Sequence, residues 1–393
     1  MSATTPPATP ATGLNLTDLL SGAQPLDAAA LHTIADTLAT ATVVGVGDAT
    51  RFAHESFIAR DLISRILFAD HGFRGLVIQD SGDVADELDA FVRTGTGNGA
   101  DALTNAWGPW RSMEMAAALE WIRDFNRSHA DNPIRILSIR PPQAQSADYD
   151  AVLTAVQEYA PSELPALNAH LTPIRTAHTV DEHVQRAKGF HPGRPFAEHA
   201  RDAATLLRAI PELPADISGH MQLIVDFHEN SVAGRGSFAS DEGALAAHLI
   251  AQQTATGLRL IFWDGIAHVS AAPTSFGDTD EGHDTVGSVL REHYGAGYSA
   301  IAFGFHHGDL GITRVPAPPS DFLDAVLGSV PLAAHWIDLR PYPALTGATK
   351  LRVISGVYDA DRDDEAYVRV SSLRSGFDVV VHVHEPTALS WLS

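Results

Sequence analysis

Seven short apolar runs, at residues 43–46, 75–78, 134–139, 258–263, 300–303, 336–339 and 379–383, limit what this chain can fold into. Each has the length and the β-branched or aromatic bias of a strand. Helical patterns lie between most of them: residues 119–125 and 243–255 repeat Leu, Ile or Trp at spacings of three and four. Strand alternating with helix predicts an α/β fold with a central, mostly parallel sheet flanked by helices. Between residues 149 and 248 the pattern turns to a long helical stretch punctuated by Pro161, Pro165, Pro173, Pro192, Pro195, Pro211 and Pro214. That stretch is expected to be a helical insertion acting as a cap or lid. The rest forms one domain over residues 13–393, after a Ser/Thr/Ala/Pro-rich leader at 1–12 expected to be disordered. Residues 272–283, with Gly277, Gly282 and three acids, are expected to form a flexible polar rim.

Composition narrows the partners. With 26 basic against 48 acidic residues in 393, the formal charge is -22, which repels phosphate backbones and anionic lipid. Nucleic acid and membrane are therefore not expected as partners. The chain has no Cys, which excludes disulfides, thiolate catalysis and Cys-based zinc sites together. The leader lacks a signal-peptide pattern and no later run reaches membrane-spanning length, so a cytoplasmic protein is expected. No heptad or other assembly signal indicates an oligomeric state.

Chemistry concentrates where strands end. The first apolar run gives way to Gly47-Asp48-Ala49-Thr50-Arg51-Phe52-Ala53-His54-Glu55, followed by a helical pattern over residues 57–68. Two acids, a guanidinium, an imidazole and a hydroxyl in nine residues exceed what a simple connector needs, although a helix start capped by Thr50 would use some of them. The loop after the second run offers Gln79, Asp80 and Ser81; the loop after residues 260–263 offers Asp264 and His268. In a parallel sheet such loops meet at one edge. An imidazole beside carboxylates makes a general base near neutral pH, and His54 and His268 are the candidates. Trp107 and Trp110 either line an apolar substrate pocket or pack in the core. His306 and His307 are expected to be ordinary loop residues pointing in different directions. A metal set drawn from Asp48, His54, Asp80, Asp264 and His268 lacks the helical His spacing of a ligand motif, so no metal and no cofactor are expected. No Gly-x-Ser-x-Gly elbow surrounds Ser81 or Ser270, and no complete dinucleotide or phosphate loop occurs.

Taken together these segments resemble the erythromycin esterase family, including its succinoglycan-biosynthesis-like members. Gly47-Asp48-Ala49-Thr50 with Glu55 is similar to the family's Gly-Glu-Ala-Thr-His-Gly loop and its following Glu. Further landmarks are Gly72-Phe73-Arg74; Trp107 and Trp110 with Glu114; residues 121–126; Trp263 with His268, similar to a Trp-Ala-His-Asn-x-His segment; residues 290–295; Phe303-Gly304-Phe305; Asp338-Leu339-Arg340; and Phe377-Asp378. Their fixed order over nearly the whole chain identifies it as a member of the family. The resemblance implies a mostly parallel sheet with a helical insertion and a cleft admitting a large apolar molecule.

For chemistry the resemblance implies a His that activates water to open a macrolide lactone. Here the positions depart from that pattern: the family's loop Glu is Asp48, its His is Arg51, the acid after the second strand is Gln79 beside Asp80, and the first His of the later segment is Gly265. His268 and Glu55 carry over unchanged. A guanidinium is no general base at neutral pH, so water activation does not transfer to Arg51. The expectation is an enzyme of specialised metabolism using His54, His268, Asp48, Glu55 and Arg51 for non-hydrolytic acid/base or ring-forming chemistry. Gln79, Asp80, Trp107, Trp110, Glu114, Trp263 and Asp264 would face a large, apolar, polyketide-like substrate. Hydrolysis by a relocated His and a non-catalytic ligand-binding role are the alternatives.

Overall fold

The computed structural model describes residues 16–211, 213–236, 242–277, 282–342, 345 and 347–392. The leader at 1–12 lies outside them, as do residues 278–281 of the expected rim. The fold is α/β, with a mostly parallel eight-stranded central sheet flanked by helices. Two compact units divide the chain, one built from residues 1–73, 258–354 and 358–388, the other from 74–257, 355–357 and 389–393.

In the first unit, β1 (Val43–Asp48) runs parallel to both of its neighbours, β4 (Leu260–Gly265) and β5 (Tyr298–Phe305). Strand β7 (Val379–Val383) adds in parallel to β5, and β6 (Ala334–Asp338) pairs antiparallel with β7. Every residue of β1 is buried, which its unbroken apolar run requires of a central strand. Glycine enters that run where neighbours press in. A Cβ at Gly45 would stand 2.2 Å from the Tyr298 hydroxyl, and one at Gly47 2.9 Å from the Ile266 Cα.

Strand β1 leads through residues 49–53 into helix α1 (His54–His71), which ends at Gly72 in the left-handed conformation. Its buried residues include Phe57, Ile63, Leu67 and Phe68, and also the polar stripe Ser56, Arg60 and Ser64, one turn apart. Thr50 does not cap this helix. The cap is Ala53, without a side-chain bond, because Thr50 is drawn into a β-bridge with Ile354.

Two features of the first unit go beyond what the apolar runs announced. The run at 336–339 lies in an antiparallel strand beginning at Ala334, and the rim segment at 272–283 contributes a strand. Thr274–Phe276, Thr349–Arg352 and Tyr367–Val370 form a three-stranded antiparallel sheet. Ladder bonds satisfy the backbone there without an apolar run to announce them.

The second unit holds the parallel pair β2 (Gly75–Ile78) and β3 (Arg135–Ser138) with helices α2 (Gly82–Thr94) and α3 (Met113–Ser128). From Ser146 to Thr256 its described elements are helices. They enclose an apolar core that includes Val152, Leu171, Phe196, Ala200, Met221 and Ile224. One polar thread crosses that core: the Tyr149 hydroxyl lies 2.8 Å from His228 Nε2 and 3.2 Å from His178 Nε2. Burial pushes the His228 imidazole down to about 3 and His178 to about 4.

Candidate functional site

Register fixes the first group. Asp48 and Gly265 are paired at the ends of β1 and β4, and Asp264 stands beside Gly47. Asp48 is buried and pairs with the buried Arg60 from the second turn of α1. The Arg60 guanidinium sits in the corner formed by two rings, 4.6 Å from the Phe57 centroid and 4.2 Å from that of Trp263. Trp263 is buried, lies edge-on to Phe57, and donates its indole N–H to Ser64 at 3.1 Å. Burial pushes the Asp48 carboxyl above its ordinary range, against the pull of Arg60 and Arg51.

Arg51 pairs with Asp264, whose Oδ1 also accepts the Gly265 N–H at 2.7 Å. Two acids and two guanidiniums thus interleave at the ends of adjacent strands. Gly265 leaves side-chain space that two groups flank: a Cβ there would be 3.8 Å from both Arg51 Nη1 and His268 Cδ2. His268 lies on the short helix Ile266–Val269 and is half-buried. His54 opens α1, its backbone N–H bonded to Thr387 O at 2.8 Å. Glu55 accepts from the Thr387 N–H at 2.7 Å and from its hydroxyl at 2.8 Å. The structure therefore brings Arg51, Asp264 and His268 together around Gly265, while Asp48 and Glu55 have partners in Arg60 and Thr387.

The second unit holds the other expected residues. Asp80 is buried and accepts N–H bonds of 2.8 Å each from Ser81 and Trp107; burial outweighs these and pushes its carboxyl up to about 6. Trp110 is buried and donates to Gln79 O at 3.0 Å, with Trp107 half-buried beside it. Glu114 is buried and accepts the Ser390 N–H with both oxygens, at 3.1 and 3.2 Å. A cavity of about 390 Å³ in this unit is lined by Glu87, Phe91, Asn98 and Asn105 and by none of these residues.

Arg60 and Thr387 were not anticipated. Arg60 left a signal, a cation between Ser56 and Ser64 on the face that carries Phe57 and Phe68; Thr387, 332 residues from Glu55, left none. Among the described residues, one group of imidazoles or carboxylates has ligand atoms close enough to share a cation, and it is His306, His307 and His384.

A family model described as erythromycin esterase matches residues 68–386. The chain belongs to the erythromycin esterase family. Solved structures agree on the fold. A Bacillus cereus protein is similar over 96% of this chain and 98% of its own, with a TM-score of 0.65 and 18% identity. A succinoglycan biosynthesis protein is similar over 95% and 97%, at 0.63 and 18%. A mutant of the erythromycin esterase EreC in its open conformation is similar over 94% and 96%, at 0.54 and 14%. No curated protein matches the chain. Membership of the erythromycin esterase family points to esterase-type chemistry on a small molecule. The family match begins after the loop at 47–55 that holds Arg51.

Proposed function

We propose that this erythromycin esterase family member carries out acid/base chemistry on a large, largely apolar, polyketide-like substrate, with His268 as the base and Arg51 as the cation that steadies developing negative charge. One observation carries the reading: Arg51, anchored by Asp264, and His268 flank the space beside Gly265. In the family motif that space belongs to an imidazole. A guanidinium stays protonated and aims planar N–H groups at an oxyanion, a role suited to an enolate. His268 removes a proton adjacent to a carbonyl, and Arg51 stabilises the enolate oxygen. Returning the proton to another carbon gives an isomer; delivering it to a departing β-hydroxyl gives an alkene and water.

Hydrolysis by His268 is the nearest alternative, and product mass separates the two. A non-catalytic binding role draws support from the partners already held by Asp48, Asp264 and Glu55. His268→Ala tests the enzymatic reading. Loss of a general base lowers turnover by about two or more orders of magnitude. Turnover equal to the parent's removes His268 as the base. Calorimetric binding of the same substrates by parent and variant alike, with turnover in neither, supports the binding role.

A further inference from the structure

We propose that His306, His307 and His384 form a binding site for a divalent cation of the zinc and nickel class. The three half-buried rings extend from the C-terminal ends of two adjacent parallel strands. Phe305 of β5 is in register with Val383 of β7, and His306 and His384 are the next residues. Backbone bonds hold the three in place: His306 N–H to Val383 O at 3.1 Å, His307 N–H to His384 O at 3.2 Å, and His384 N–H to Ala333 O at 2.8 Å. One ligand atom from each ring lies within 4.8 Å of the others. The His306 and His384 rings stack at 4.9 Å with 5° between planes, and His307 stands nearly perpendicular to both.

Adjacent residues 306 and 307 were expected to diverge, yet their Nδ1 atoms are 2.8 Å apart and share a proton. Two nitrogens on one tetrahedral zinc, each about 2.0–2.1 Å from it, lie about 3.3 Å apart, so this pair opens by roughly half an ångström and the His384 ring turns out of its parallel stack with His306 for the three lone pairs to meet at one ion. The proton then moves to Nε2, and on His307 that nitrogen faces Glu385 Oε1 at 3.9 Å. A carboxylate behind a metal-binding imidazole fixes its tautomer and strengthens it as a ligand. The fold also reserves room for the His306 ring: a Cβ at Gly328 would come within 2.0 Å of its Cδ2. With no thiolate in the chain, imidazole nitrogens select zinc, nickel or copper over magnesium or calcium. The bound cation would tie β5 to the segment that follows β7, which carries Thr387, the partner of Glu55.

Calorimetric titration of untagged, chelator-treated full-length chain with Zn²⁺ tests the site. The expected result is one Zn²⁺ per chain with a Kd of about 10 µM or tighter, weakened at least about tenfold by His306→Ala and by His384→Ala. His32→Ala, which removes an exposed imidazole beside Asp70, should bind as the parent does. Gly328→Ala keeps all three ligands and should also weaken binding. Should an alanine variant fail to fold, X-ray absorption on the zinc-loaded parent decides: three imidazole nitrogens in the zinc shell support the site, and an oxygen-only shell overturns it. Absence of one-to-one binding, or unchanged affinity in folded His306→Ala and His384→Ala, also overturns it.

Discussion

Arg60 is 2% exposed and carries a charge against two aromatic rings, with Asp48 as its counter-ion. Removing one member of such a pair leaves an uncompensated buried charge. Arg60→Met should therefore destabilise the protein by about 3–5 kcal/mol in urea unfolding, and adding Asp48→Asn should restore a large part of the loss. A double variant no more stable than Arg60→Met alone would contradict this account of the pair. At this scale the sequence was only partly legible. Asp48, Arg51, Asp264 and His268 stood out because strand-terminal loops collect chemistry. Their pairing did not, since Arg51 and Asp264 are 213 residues apart and only the strand register brings them together. Glu55 was expected in the catalytic set, and its two oxygens are engaged by Thr387.

Strands β6 and β7 place His335 opposite His382, with ring centroids 5.2 Å apart and both residues almost wholly buried. Burial pushes the His335 imidazole from its usual 6.5 down to about 4. The folded chain therefore binds fewer protons here than the unfolded chain, and stability falls as pH drops from 6.5 through 4. Asp324, raised to about 6 by burial, acts in the opposite sense over part of that window. Comparing a variant with its parent cancels the Asp324 contribution. His335→Phe should gain on the parent by about 1.4 kcal/mol per pH unit as pH falls through that window; a constant difference would show that His335 does not titrate there. The long apolar strands and the helical pattern at 57–68 were legible, because burial on both faces leaves continuous runs and a core-facing helix repeats apolar residues at three and four; the left-handed cap at Gly72 was not read. The small antiparallel sheet was not. Lys350, Arg352 and Arg369 interrupt Thr349–Arg352 and Tyr367–Val370, so no unbroken run marks them. The landmark pair Arg291 and Asp378 proves to be framework: Asp378 Oδ2 takes Arg291 at 2.9 Å and the Ala300 N–H at 3.0 Å.

Across the molecule, the order of motifs and the family match agree on an erythromycin-esterase-type α/β fold. Among the described residues no helix is long and apolar enough to cross a membrane. Fold survives at low identity because it depends on burial pattern, strand length and capping, which many sequences satisfy. Chemistry depends on a few positions, and here Arg51, paired with Asp264, and His268 flank the space at Gly265. Central is the acid/base chemistry proposed for Arg51 and His268. Mass spectrometry of products formed from a panel of macrolactones and linear polyketide precursors tests it most directly. The proposed chemistry predicts a product of unchanged mass or one lighter by a molecule of water, in both cases abolished by His268→Ala. A product heavier by one water would contradict it and show that hydrolysis persists with Arg51 in place.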